Sequence, residues 1–99
     1  MDKHIATEKI RYLRKTIDNL DAALIHILAE RYRCTDQVGV LKAQFHLSAV
    51  DSVRESEQAR NINDISIDAG VNPEIVHSLF RLIIDEVVRR HKNTADDLL

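Results

Sequence analysis

Apolar residues recur three and four positions apart along the first half of the chain, and one charge interrupts them. Ile10, Leu13, Ile17, Leu20, Leu24 and Ile27 open the series, and Cys34, Val38, Leu41 and Phe45 continue it. Arg31 stands where the next apolar residue is due. Such spacing, sustained over about five heptads, predicts one long amphipathic helix, here from about Thr7 to about Phe45. At 1.5 Å per residue that helix is roughly 55–60 Å long. A compact monomer of this size has a radius of gyration of only about 13 Å. The rest of the chain is too short to cover such a helix, and a second copy is the simplest cover. The length mismatch alone predicts an intertwined homodimer.

Two shorter helices follow. The stretch SVRE, Ser52 to Glu55, has the S-x-x-E spacing of a capping box and predicts a helix start at Ser52. Gly70 suits its end. Glu55, Gln58, Ile62, Ile65 and Ala69 form the expected inner line, polar at first and apolar later. In the stretch NPE, Asn72 suits an N-cap and Pro73 the first helical position. Val76, Leu79, Phe80, Ile83, Ile84, Val87 and Val88 then make a strong apolar face, with His91 on the same stripe. The expectation is a single all-α domain over residues 1–99, with a core of about 7–92 and a frayed tail over 93–99.

Composition agrees with three helices. The 99 residues include two glycines and one proline, 4% aromatics and 30% charged residues, a mix short of turn formers. The net charge of −2 and the lack of a basic stripe argue against nucleic acid or a membrane surface as partner. No stretch is long and apolar enough for a signal peptide or a membrane span, so the cytoplasm is the expected location. The single cysteine, Cys34, reads as a small buried hydrophobe in a reducing compartment. The five histidines lack metal-ligand spacing, and there is no glycine-rich phosphate loop or supported Ser/His/Asp order. Neither a metal, a cofactor nor covalent catalysis is expected.

What remains is inward-pointing charge. Arg31 and Lys42 are eleven residues apart, three turns plus about 20°, and so share a helix face with Cα atoms about 16 Å apart. Two cations aimed at one buried spot are costly unless an anion sits between them. Each residue also has a plainer reading. Arg31 can snorkel to solvent or pair with a carboxylate across a dimer. Lys42 can be a surface lysine, and Arg54 and Glu55 a solvated helix start. His91 can be a helix C-terminal residue favoured by the dipole. Arg14, about 100° around the helix from Arg31, is either solvated or reaches into the pocket of a second copy.

The joint motifs resemble those of the all-helical (type II) chorismate mutase family. LRKTIDNLDAALIHILAERYRCTDQVGVLKAQ, from Leu13 to Gln44, is similar to that family's first helix: L-R-x-x-I-D-x-L-D, then L-x-x-R, then V-G-x-x-K. DSVRESEQ and LFRLIIDEVVRRH extend the resemblance, which covers about residues 10 to 91. It implies three helices per chain in a domain-swapped homodimer. It also implies the Claisen rearrangement of chorismate to prephenate, on the way to phenylalanine and tyrosine, without cofactor. By resemblance, Arg31 clamps a substrate carboxylate and Arg14 of the other protomer helps. Lys42 bridges the breaking ether oxygen and a carboxylate. Asp51 and Glu55 meet the ring hydroxyl, and Arg54 stands near the pocket. Two positions depart from the family's commoner pattern: Val87 replaces a serine, and His91 replaces glutamine or glutamate. His91 is expected to donate to the ether oxygen, which makes the rate pH-dependent near neutrality.

Two other readings compete. A sister enzyme on the same scaffold removes pyruvate from isochorismate. A non-catalytic helical module would bind a pathway metabolite or a partner enzyme; some small family members resemble partners of the first synthase of the shikimate pathway.

Overall fold

A computed structural model describes residues 2–98. It contains three helices: α1 (Lys3–Gln44), α2 (Ser52–Ala69) and α3 (Pro73–Asp97). No strand occurs among the described residues. The all-α expectation holds, and the helix boundaries explain themselves locally. Contacts gather into two compact units, one ending at Cys34 and one beginning at Thr35.

In the first unit α1 begins earlier than the seam suggested. The Asp2 carboxylate accepts from the Ile5 N–H at 2.9 Å, and its carbonyl accepts from the Ala6 N–H at 3.1 Å. These bonds satisfy orphan donors of the first turn, so the helix needs no apolar residue to start. Leu13, Ile17, Leu20, Leu24 and Ile27 are all more than half exposed. Cys34 is exposed as well, against the expectation of a buried thiol; it lies on this same uncovered seam.

In the second unit α1 closes with a left-handed residue. His46 has φ 55°, the Leu47 N–H donates to the Lys42 carbonyl at 2.7 Å, and the His46 N–H donates to the Ala43 carbonyl at 3.3 Å. This is a Schellman turn with histidine where glycine is usual. It ends the helix one residue before Phe45 and fixes Lys42 in the last turn.

The start of α2 corrects the capping-box reading. Asp51, not Ser52, is the N-cap: its Oδ1 accepts from the Arg54 N–H at 3.0 Å. Ser52 is already helical. At the other end Gly70 (φ 74°) and Val71 donate to the Ile67 and Ser66 carbonyls, closing the helix as expected.

The inner line of α2 also differs. Ile62 and Ser66 are buried, while Ile65 and Ala69 are exposed. Ser66 is tolerated inside because its hydroxyl donates to the Ile62 carbonyl at 2.6 Å. Helix α3 starts as expected, with Asn72 accepting from the Glu74 N–H at 2.9 Å and Pro73 in the first turn. Its face packs on α2 around Ile83, which is buried, with Val76, Phe80, Ile84, Val87 and Val88 partly covered. The helix is continuous past Asn93 to Asp97. The Thr94 hydroxyl donates to the Arg90 carbonyl at 2.9 Å within this stretch.

Candidate active site

His91 is a buried polar side chain of the second unit. It is 5% exposed, and its Nε2 lies 2.7 Å from the Thr35 carbonyl oxygen of α1. A carbonyl carries no proton, so Nε2 is the donor. The neutral ring therefore keeps its one proton on Nε2, and Nδ1 has only a lone pair. Nδ1 is buried, with no hydrogen-bond partner among the described residues. Because α3 runs on to Asp97, His91 is not a terminal residue, and the helix-dipole reading does not apply.

Gly39 is what admits the ring. In an α-helix the carbonyl of one residue lies beneath the side chain one turn further on. Thr35 and Gly39 have that relationship within α1. A Cβ built on Gly39 would sit 2.6 Å from His91 Cδ2 and 3.2 Å from Nε2. Without that Cβ the Thr35 carbonyl is open to a second donor beside its own helical N–H. Glycine inside a helix costs about 1 kcal/mol relative to alanine, and the close approach of His91 is its physical reason here. The lone glycine within the periodic pattern was the available sequence signal.

Ionic contacts flank this site. Arg90 reaches Asp36 on α1 (Nη1 to Oδ2, 3.1 Å) and Glu86 one turn back on α3 (Nε to Oε1, 3.1 Å). Arg89 grips Glu86 from Nε at 2.9 Å and Nη2 at 2.6 Å. The hydrogen bonds from Arg89, then those from Arg90, lower the Glu86 carboxyl from 4.5 to about 2. No motif had singled out this cluster.

The other predicted residues fall into separate groups. Val87, partly covered, precedes His91 by one turn on α3. Lys42, half-buried, follows Gly39 by three residues on α1. Asp51 and Arg54 are joined by the helix cap and are exposed. Glu55, half-buried, lines a cavity of about 100 Å³ between α2 and α3 with Ala59, Ile62, His77, Phe80, Arg81 and Ile84. Arg14 and Arg31 belong to the first unit. Arg14 is exposed beside Ile10, Arg11 and Asp18. Arg31 is partly buried, with Nη1 shielded from solvent. Among the described residues no group of histidine, cysteine, aspartate and glutamate is arranged to hold a metal ion. No helix among them is long and apolar enough to cross a membrane.

A family model described as chorismate mutase type II matches residues 13–92. The chain belongs to that family. The match spans most of the chain and contains Arg14, Arg31, Lys42, Asp51, Arg54, Glu55, Val87 and His91. Type II chorismate mutases are all-helical, and this chain's three helices agree. Membership supports an isomerase activity on chorismate in general terms. It leaves the division of labour among the side chains to chemistry.

Proposed function

We propose that this chain is a chorismate mutase that converts chorismate to prephenate as an intertwined homodimer. The observation that carries the reading is the family match over residues 13–92, which holds every inward-pointing cation identified from the helical pattern. In the rearrangement a carbon–oxygen bond breaks as a carbon–carbon bond forms in the same molecule. No proton, electron or group leaves, so the protein supplies orientation and charge alone. Arg31 and Arg14 of the second copy grip the two carboxylates; the planar guanidinium fork suits a carboxylate. Lys42 binds the ether oxygen and a carboxylate as negative charge grows there. Asp51 and Glu55 accept from the ring hydroxyl, with Arg54 at the pocket edge. Val87 offers an apolar wall where a hydroxyl would have donated.

His91 is the second group at the ether oxygen. With Nε2–H engaged by Thr35, Nδ1 can donate only when the ring is the imidazolium. The dimer is supported by the exposed seam of α1: Leu13, Ile17, Leu20, Leu24 and Ile27 form one apolar stripe.

The test is product analysis. Chorismate and isochorismate are supplied separately and the products resolved by chromatography. Prephenate from chorismate is expected, with kcat reduced on the order of 10²–10³-fold in Lys42→Ala. Pyruvate and salicylate as the main products would assign the isochorismate lyase instead. Turnover of neither would make the cations a ligand-sensing or docking feature.

A further inference from the structure

We infer that Gly39 and the Thr35 carbonyl form a positioning socket that engages Nε2 of His91, fixing the orientation of the ring in either charge state and its tautomer when it is neutral. The inference rests on the mutase reading only for what Nδ1 acts upon.

The argument has three parts. First, the ring is held at one defined atom: Nε2 donates to Thr35 at 2.7 Å, and the acceptor can never donate back. Second, only glycine at position 39 permits that approach, since an added Cβ would meet Cδ2 at 2.6 Å. Third, the opposite nitrogen, Nδ1, is buried and unsatisfied among the described residues. A buried polar atom without a partner is destabilising. The ring is thus held at one nitrogen and left unsatisfied at the other. Positioning is therefore built from backbone: one carbonyl and one missing side chain. A histidine without this socket would divide its proton between two nitrogens and turn about its two side-chain torsions.

Ring-nitrogen NMR of ¹⁵N-labelled full-length protein reads the tautomer directly and needs no turnover. The wild type is expected to show neutral His91 protonated at Nε2. Neutral His91 protonated at Nδ1 would overturn the socket without any variant. Gly39→Ala, checked for helicity, is expected to lose the pure Nε2–H signature and to lower kcat on the order of 10²-fold with little change in KM. A double-mutant cycle with His91→Ala then separates positioning from general damage. If Gly39 acts through His91, Gly39→Ala costs far less in the His91→Ala background. Equal losses in both backgrounds, or an unchanged tautomer in Gly39→Ala, would overturn the proposal. Absence of turnover by the wild type would sink the mutase reading, while the wild-type spectrum would still decide the socket.

Discussion

Arg90 and Asp36 form an ion pair at 3.1 Å, one residue along each helix from the hydrogen bond between His91 and Thr35. Two adjacent residues of α3 thus hold two adjacent residues of α1, one pair by charge and one by a neutral bond. The charged pair is partly exposed and weakly stabilising on its own. It gives α1 and α3 a second point of attachment beside the His91 contact.

Acid should loosen this arrangement late. Glu86 is held at about 2, mainly by the hydrogen bonds from Arg89. A carboxyl depressed on folding contributes stability that is complete above its unfolded value and lost as pH falls through its folded value. The loss for Glu86 therefore spans pH 4.5 down to about 2. Urea unfolding of wild type and Glu86→Gln should show the variant less stable at pH 6 and the gap closed near pH 2. A gap unchanged over that range would mean that the charge contributes nothing.

The seam of α1 should be an oligomer contact. Placing two glutamates in it, as Leu20→Glu with Leu24→Glu, buries charge against an apolar partner. Sedimentation should then show a monomer where the wild type is a dimer. Activity should fall at least about 10²-fold, because a second copy no longer contributes Arg14. A wild type that sediments as a monomer at micromolar concentration would defeat this reading.

His46 should be a removable strain. A non-glycine residue in the left-handed region costs about 1–2 kcal/mol, and His46 closes α1 at φ 55°. His46→Gly should raise stability by roughly 1 kcal/mol in chemical denaturation. A loss of stability would mean that the imidazole makes a compensating contact.

Much of this architecture was legible from spacing and end signals. Asn72 with Pro73, and Gly70, are local devices that act through their own backbone, so a short stretch predicts them. The errors came from choices between neighbours. Asp51 and Ser52 are both good caps, and helix entry at Ser52 itself selects Asp51. Ser66 was passed over for Ile65 because its hydroxyl is satisfied by its own helix, which hides its polarity. The tail beyond Asn93 lacks strong apolar spacing, yet it continues a helix already nucleated. The candidate cations at Arg31 and Lys42 were visible as breaks in a pattern. Thr35 and Asp36 were not, and Gly39 showed only as a lone glycine whose role the pattern did not give. Their roles depend on which α3 residue arrives opposite, which no single-helix periodicity contains.

Asp51 has one carboxylate oxygen tied to the Arg54 N–H before any ligand arrives. Ordering a free side chain at a binding surface costs about 0.5–1.5 kcal/mol of entropy. For Asp51 that ordering has already happened, as part of starting a helix. The same turn carries Arg54 and Glu55, so in the proposed site the first residues of α2 would meet a ligand as one backbone step rather than as independently moving side chains.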